Sequence, residues 1–583
     1  MPIPSDQRIL RRPVPAEPPT LPSSLHPILR RVYSARRLTS EAELERDLGR
    51  LPPPALLPGM ARAVPLLQRV LERRGRILVV GDFDADGATS SALAVLGLRA
   101  LGAGSVDYLV PNRFEYGYGL TPEIVAVALQ RQPELILTVD NGISSLDGVA
   151  AAHRAGVPVL ITDHHLPGAA LPEAAAIVNP QLANPSAGPV LNLAGVGVLF
   201  FLLIALRSQL RASGWFSRQG IAEPNLAEYL DLVALGTVAD VVPLDHVNRI
   251  LVHQGLQRMR AGRCRPGIAA LLRVAGRAAG NLAAADLGFA LGPRLNAAGR
   301  LADMSQGIEC LLSDDPAQAL GIAQELDRLN RERRRIEEEM RDDALAWLEG
   351  WAPEDGELPF GLCLYQPEWH QGVIGILASR IKDRYHRPVI AFAPGGEGIL
   401  KGSARSVPGL HIRDALDAVA TRHPGLLKKF GGHAMAAGLS LAVSRYDEFR
   451  HAFDEEVRRH LAADDLCGIH HSDGPLAAAD FSLELAELLR KGGPWGQGFP
   501  EPTFDGRFRV VQRRVLKERH LRLLLSPLDG GQPLGAIAFA QAEGCAAAEG
   551  DLVESAYRLE VNEYNGRRDL QLNIQFIRTL EGP

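Results

Sequence analysis

Cysteine is scarce in this chain. Five residues in 583 carry a thiol, Cys264, Cys310, Cys363, Cys467 and Cys545, scattered and odd in number. No Cys-x-x-Cys pair occurs, so neither a disulfide framework nor a cysteine zinc site is supported. A reducing, cytoplasmic compartment is expected. Lysine is nearly as rare: six of the 63 basic residues are Lys and the rest Arg, the side chain suited to bidentate phosphate contacts. Positive charge is not in excess either. The formal net charge of −5 excludes a globally basic nucleic-acid binder and leaves such contacts to local patches. The one long apolar run, Leu193 to Leu206, is short for a membrane span and carries Gly195 and Gly197. It predicts a buried core helix, with no membrane partner. Met1-Pro-Ile-Pro-Ser-Asp6 has no apolar core, so no signal peptide is expected.

What the chain does have is length and apolar content. Its 583 residues imply about three to five domains, and 46% hydrophobic residues suffice for packed cores. Residues 1–60 read as a Pro- and Arg-rich lead-in, helical around Thr39–Leu51, that docks on the next domain. From residue 61 strand and helix alternate. The expected strands are Arg76–Val80, Ser105–Val110, Leu135–Val139 and Val157–Thr162; the expected helices are 60–74, Thr89–Leu101, Pro122–Leu129 and Leu146–Ala155. This alternation predicts an α/β domain with a parallel sheet, over residues 61–312.

Four acidic groups close apolar runs that read as strands. They are Asp82, Asp84 and Asp86 in Gly81-Asp-Phe-Asp-Ala-Asp-Gly87; Asp140 after Leu135–Val139; Asp163-His164-His165 after Val157–Thr162; and Asp240 in Leu232–Val242. The carboxyl ends of parallel strands are where α/β folds place ligands. Each acid alone reads equally as a helix N-cap or a turn residue. Gathered together, carboxylates repel unless a cation compensates, and Gly87 allows the tight turn that would gather the first three. Mixed Asp and His ligands suit Mn²⁺, Mg²⁺ or Zn²⁺, and the lack of Cys argues against a structural zinc. Carboxylates that can bridge two ions point to a dinuclear site, in which metals roughly 3.5–4 Å apart serve phosphoryl transfer.

In order, Gly-Asp-Phe-Asp-Ala-Asp-Gly, Val-Asp-Asn-Gly, Thr-Asp-His-His and Gly-Thr-Val-Ala-Asp resemble the four motifs of the DHH phosphoesterase superfamily. The variant resembles the RecJ branch of single-stranded-DNA-specific exonucleases. The resemblance implies that Asp84, Asp86, Asp140, His164 and Asp240 are metal ligands, with Asp82 a further ligand or a group behind the ligands. It turns His165 toward the second metal or the scissile phosphate, with Asp163 orienting an imidazole, taken to be that of His164. Asp163, His165 and Asp82 are thereby the candidate catalytic groups, with Asp82 and His165 also in the metal set. The cofactor implied is two divalent cations, Mn²⁺ or Mg²⁺.

Further stretches extend the resemblance to about residues 75–580. Pro111-Asn-Arg113 leads into Phe114–Thr121 and offers Arg113 as a phosphate ligand, while Tyr118 reads as a packing residue. Leu291–Leu301 offers Arg294 and Arg300, each equally readable as a salt-bridge residue. A long helix from Asp315, with Pro316 at its first turn, runs through Trp347 and connects two lobes (313–350). Lys401–Ser406 and Phe430–Gly438 resemble the DHH-associated substrate domain (351–465), which makes Ser403, Arg405 and His433 candidate contacts for the DNA backbone or 5′ end. Gly493–Pro502 resembles a Gly- and Pro-rich RecJ segment. It introduces five short strands (466–583), which predict an OB-type barrel with a basic groove.

The activity implied is metal-dependent exonucleolytic hydrolysis of single-stranded DNA in the 5′ to 3′ direction, in recombination and repair, by a monomer. A single-strand-binding protein and a helicase are the candidate protein partners. The alternatives are a phosphodiesterase for short oligonucleotides or cyclic dinucleotides, a catalytically inactive single-strand binder on the same scaffold, and a pyrophosphatase.

Overall fold

The computed structural model describes residues 7–15, 20–111, 119–183, 191–350, 358–542, 545–564 and 567–580. The chain divides into two compact units. One holds Val14–Asn330 with Glu487–Glu501; the other holds Met1–Pro13, Arg331–Ala486 and Pro502–Pro583. The division falls inside the long helix Pro316–Gly350.

The first strand, β1 (Gln7–Arg11), belongs to the second of these units. The first unit is built on β2 (Arg76–Gly81), β3 (Ser105–Leu109), β4 (Leu135–Val139), β5 (Val159–Thr162) and β6 (Ala176–Val178), all parallel in the order β3-β2-β4-β5-β6. The runs of Val, Ile and Leu suit strands covered on both faces. Against one face pack helices Pro122–Leu129 and Leu146–Arg154, through Ile124, Val125, Val149 and Ala152 on Leu78, Val80, Ile136 and Ile161. Helices Ala85–Ala100, Gly195–Ala212 and Leu230–Ala239 pack against one another, and the first two also against sheet strands. Helix Gly195–Ala212 has the length and apolarity of a membrane span, yet Gly195–Leu203, Leu206 and Leu210 are buried in the core. This is the expected core helix.

One expectation fails here. The sequence predicts a strand at the apolar run before Asp240, within Leu232–Val242; the structure has helix Leu230–Ala239, with Asp240 as its C-cap. A short, wholly apolar run cannot be assigned to strand or helix by periodicity, and this helix is buried from Leu230 to Thr237.

In the second unit, β7 (Leu362–Tyr365), β8 (Val389–Pro394), β9 (Ile399–Arg405), β10 (Lys429–Gly432) and β11 (Ala436–Ala442) form a mixed sheet in the order β10-β11-β9-β8-β7. The following strand, β12 (Gly468–Ser472), pairs in parallel with β1. Residues 7–11 therefore dock far along the sequence, while the lead-in from Val14 packs in the unit of the domain that follows it, where the Glu43 and Arg46 carbonyls accept from Arg249 and Gln254. Strands β13 (Phe504–Leu516), β14 (His520–Pro527), β15 (Leu534–Ala538), β16 (Leu552–Tyr564) and β17 (Arg567–Thr579) close into a barrel in the order β13-β14-β15-β17-β16. The alternating burial of His520–Pro527 follows the period of two that a barrel strand requires.

Candidate metal centre and substrate-binding residues

Past the carboxyl edge of the parallel sheet, the expected acids meet. Asp84 N-caps helix Ala85–Ala100, with Oδ1 accepting from the backbone N–H groups of Asp86 and Gly87 at 3.0 Å each. That turn points Asp86 at the start of the next core helix, where the N–H groups of Gly195 (2.6 Å) and Val196 (3.0 Å) donate to its carboxylate. A helix N-terminus favours a negative charge. Asp82 accepts from the N–H of Phe83 at 2.7 Å. Asp140 follows β4 with φ +62°, a left-handed conformation unusual outside glycine. The approach of helix Gly195–Ala212 is possible because residue 195 has no side chain: a Cβ there would lie 2.5 Å from that of Asp140.

Asp163 is fully engaged. Its Oδ2 accepts from the N–H of Ile143 at 2.9 Å. Its Oδ1 accepts from the N–H groups of His164 and His165 and lies 2.7 Å from His165 Nδ1. The imidazole it orients is thus that of His165, not His164 as read from the sequence. The reason is the chain's turn after β5, which brings the ring two residues on back over the carboxylate.

His164 Nε2 instead lies 3.2 Å from Asp140 Oδ1 and 3.5 Å from Asp240 Oδ2. Asp140 Oδ1 is buried and makes no hydrogen bond among the described residues. Close approach without hydrogen-bond geometry is how donor atoms gather around a cation. Among the described residues, three sets of ligand atoms each lie within 4.8 Å of one another: Asp140, His164 and His165; Asp86, His164 and Asp240; Asp82, Asp84 and Asp140. Asp140 and His164 each fall in two sets; of the two, only the carboxylate of Asp140 could serve two cations, since an imidazole nitrogen has a single lone pair. The oxygen- and imidazole-rich donors fit Mn²⁺ or Mg²⁺.

The electrostatics agree. Burial, then the charge of Asp84, raises the Asp82 carboxyl well above its ordinary range. Burial, then Asp86 and Asp84, does the same to Asp140 and Asp240. Asp86 is pushed up to about 7 by burial and Asp84, against the pull of the Val196 and Gly195 N–H groups. Burial disfavours the His165 cation, but the Asp163 hydrogen bond and charge outweigh it and carry the ring to about 9. Asp240 bears a further cost, since a carboxylate at a helix C-terminus meets the negative end of the dipole. Cations relieve the burial and mutual repulsion of Asp82, Asp86, Asp140 and Asp240 together.

Other residues had no signal strong enough to single them out. Asn296 accepts from the N–H of Ala85 at 2.7 Å and so ties helix Gly292–Leu301 to the Asp82–Asp86 turn. Gly299 permits that contact, because a Cβ there would lie 1.9 Å from the Phe83 carbonyl oxygen. Asn141 donates to the carbonyls of Val80 and Val139, and Asn179 to that of His165. Asn296 and Gly299 sit within the stretch Leu291–Leu301, beside Arg294 and Arg300.

Arg294 leaves the phosphate-binding set. It is buried and donates through Nε to Asp327 (2.9 Å) and through Nη1 to the Ala290 carbonyl (2.6 Å), with Nη2 2.8 Å from Asp327. Buried guanidinium groups require such partners. Arg300 lies in the last turn of the same helix, half-buried. Arg113 and Tyr118 fall outside the described residues.

In the other unit, β9 and β11 pair Ser403 with Gly438 and Arg405 with Ala436. Arg405 Nη1 donates to Ser403 Oγ at 3.1 Å and to the Ala404 carbonyl at 2.8 Å, and burial lowers its proton affinity. Both side chains crowd Gly375, where a Cβ would lie 2.9 Å from Arg405 Nη2 and from Ser403 Oγ. Gly375 lies in the first turn of helix Ile374–Tyr385, so guanidinium, hydroxyl and helix N-terminus meet in one corner whose charge and dipole favour an anion. His433 is exposed on the turn between β10 and β11, its N–H bonded to the Ala436 carbonyl.

The class is defined by these features. Residues 76–237 match the DHH family N-terminal domain, 359–459 the DHHA1 domain and 472–575 the RecJ OB domain. The chain is 58% identical to the single-stranded-DNA-specific exonuclease RecJ of Dickeya dadantii, over 96% of this chain and 97% of that protein. It is 55% identical to the protein of the same name from Escherichia coli, over 97% and 98%. Among solved structures, RecJ of Thermus thermophilus in complex with Mn²⁺ superposes with a TM-score of 0.78 at 32% identity, covering 96% of this chain and 76% of that one. Its complex with Mg²⁺ gives 0.72 at 31%, covering 96% and 75%. The chain belongs to the RecJ family.

Proposed function

We propose that this chain is a metal-dependent exonuclease that hydrolyses single-stranded DNA from the 5′ end, in DNA recombination and repair. The observation that carries the reading is the convergence of Asp82, Asp84, Asp86, Asp140, His164, His165 and Asp240 into three ligand sets that share Asp140 and His164. Single-stranded DNA as substrate is supported by the RecJ relatives and the closed C-terminal barrel, since a dinucleotide substrate has no need of such a barrel. The five cysteines are free, which fits action in the cytoplasm. A single-strand-binding protein and a helicase are the proposed protein partners of a monomer.

Bound at this centre, two divalent cations supply activation of the attacking water and neutralisation of charge on the phosphodiester. The residues do the rest. Asp86 and Asp140, held by the helix N-terminus and the left-handed turn, keep the donor set in place before substrate arrives. Asp163 holds His165 by Nδ1 and leaves Nε2 facing the cluster, where it would either hold the second cation or, when free of metal, donate a hydrogen bond to the phosphate or leaving oxygen. Ser403, Arg405 and His433 hold backbone phosphates, and Arg113 and Arg300 are further phosphate ligands.

The test is digestion of 5′- and 3′-labelled single strands with Mn²⁺ or Mg²⁺, with dinucleotides and pyrophosphate alongside. The 5′ label is expected to be released first, with long strands turned over fastest. Release of the 3′ label first overturns the polarity, and faster turnover of dinucleotides overturns the substrate.

A further inference from the structure

The Gly- and Pro-rich segment 493–502 has no part in the chemistry above, yet residues up to Glu501 pack in the unit that holds the metal centre. Between Gly496 and Phe499 the chain makes a tight antiparallel turn. The turn sits on the residues that follow Asp240. The N–H of Leu244 donates to the Gln497 carbonyl at 2.7 Å. Gly498 lies so close to Pro243 that a Cβ would come within 3.3 Å of the ring. Gly496 lies against Leu244, where a Cβ would meet the Leu244 side chain at 2.7 Å.

The segment so covered needs holding. Asp240 ends a helix, and Val241 follows with φ +65°, a conformation costly for a β-branched residue. Three residues further on, Leu244 is buried. It is the first residue after Asp240 whose position the core dictates. The turn is itself anchored. Phe499 stacks on Trp495 with ring centroids 4.9 Å apart, and the Arg249 guanidinium lies 4.5 Å from the centre of the Phe499 ring. Arg249 in turn donates to the Leu244 carbonyl at 3.0 Å. Arg36 donates to the Pro500 carbonyl, and Tyr33 to that of Gly492, both at 2.8 Å.

We infer that the 493–501 turn is a positioning element for the metal centre: it clamps Leu244 and thereby fixes where Asp240 presents its carboxylate. Gly496 and Leu244 are its positioning residues, and neither touches the reacting atoms. The inference rests on Asp240 as a metal ligand. Displacing a group that orients a ligand weakens metal affinity on the order of 10- to 100-fold.

The experiment measures Mn²⁺ binding by calorimetry on the full chain, without substrate. Gly496 has no left-handed φ, so Gly496→Val tests the contact with Leu244. It is expected to weaken Mn²⁺ binding about tenfold, and Leu244→Ala in the same chain, which opens room for the added side chain, is expected to recover most of the loss. Val125→Ala, a core truncation on the face covered by helix Pro122–Leu129, controls for general destabilisation and is expected to leave Mn²⁺ affinity unchanged. Wild-type affinity in Gly496→Val, equal weakening in Val125→Ala, or no recovery in the double variant overturns the inference. Asp240→Ala separates the two layers of the argument. If it leaves Mn²⁺ binding unchanged, the metal-site reading itself fails; if it weakens binding and Gly496→Val does not, only the role of the turn fails.

Discussion

The candidate site rests on single carboxylates that are costly without a cation. Asp140 is the most demanding: buried, left-handed, shared by two ligand sets and, among the described residues, lacking a hydrogen bond at Oδ1. Asp140→Ala is expected to cut Mn²⁺-dependent hydrolysis of single strands by on the order of 100-fold or more while leaving the far-ultraviolet circular dichroism unchanged. Wild-type turnover would remove Asp140 from the centre. A pH dependence follows from Asp86, whose carboxyl stands at about 7 against an ordinary 3.8. A folded value raised in this way stabilises the metal-free protein fully below about pH 4, and that contribution is lost as the pH rises through about 7. Cation binding must displace those protons. The rise in Tm on adding Mn²⁺ is therefore expected to grow between roughly pH 5.5 and pH 8, as read by calorimetric scans at each pH. A constant or shrinking increment would contradict the protonated cluster. At this scale the sequence was legible: Asp-rich turn, Asp-Asn-Gly and Asp-His-His named the acids that meet. It did not say which imidazole Asp163 would hold, because that depends on a backbone turn between adjacent residues.

At the scale of elements, the centre depends on helices that supply no ligand. Gly299 brings helix Gly292–Leu301 onto the Phe83 carbonyl, and backbone cannot move aside as a flexible side chain can. Gly299→Ala is expected to loosen the Asp82–Asp86 turn and weaken Mn²⁺ affinity by about tenfold or more, measured by titration. Affinity like that of the wild type would show that the two elements can part freely. Arg294 belongs here too. Arg294→Ala would take the guanidinium from the buried Asp327 carboxylate, a loss of about 3–5 kcal/mol by urea unfolding. Below the melting range, KM for single-stranded DNA is expected to stay the same. A raised KM without loss of stability would return Arg294 to the phosphate ligands. Sequence pattern left Arg294 open between phosphate and salt bridge because its partner lies in another helix. It mistook the run before Asp240 for a strand because a fully buried helix shows no polar face.

Over the whole molecule, a metal centre and a closed barrel belong to one chain whose overall charge is negative. Attraction for DNA must then come from local patches. On the barrel, Arg514 and Arg522 are exposed and directly opposite one another on β13 and β14. Like charges so placed repel, and a phosphate between them would relieve the repulsion. Replacing both with Ala is expected to weaken single-strand binding and to flatten the dependence of log K on log salt concentration by about one unit of slope. An unchanged slope, read by fluorescence anisotropy over a salt series, would place the strand elsewhere. The parallel pairing of β1 with β12 also belongs to this scale. No local signal near Gln7 could announce a partner more than four hundred residues away.

By itself the sequence determined the alternation of strand and helix, the acids that meet at the carboxyl edge, the long helix and the five-stranded barrel. These follow from local periodicity and turn chemistry, which are written in neighbouring residues. Only the tertiary structure decided that Asp240 caps a helix, that Asp163 orients His165, that Arg294 is spent on Asp327, and that the 493–501 turn rests on Leu244. Each of those depends on which surfaces meet once the chain has packed, and on the requirement that every buried charge find a partner there.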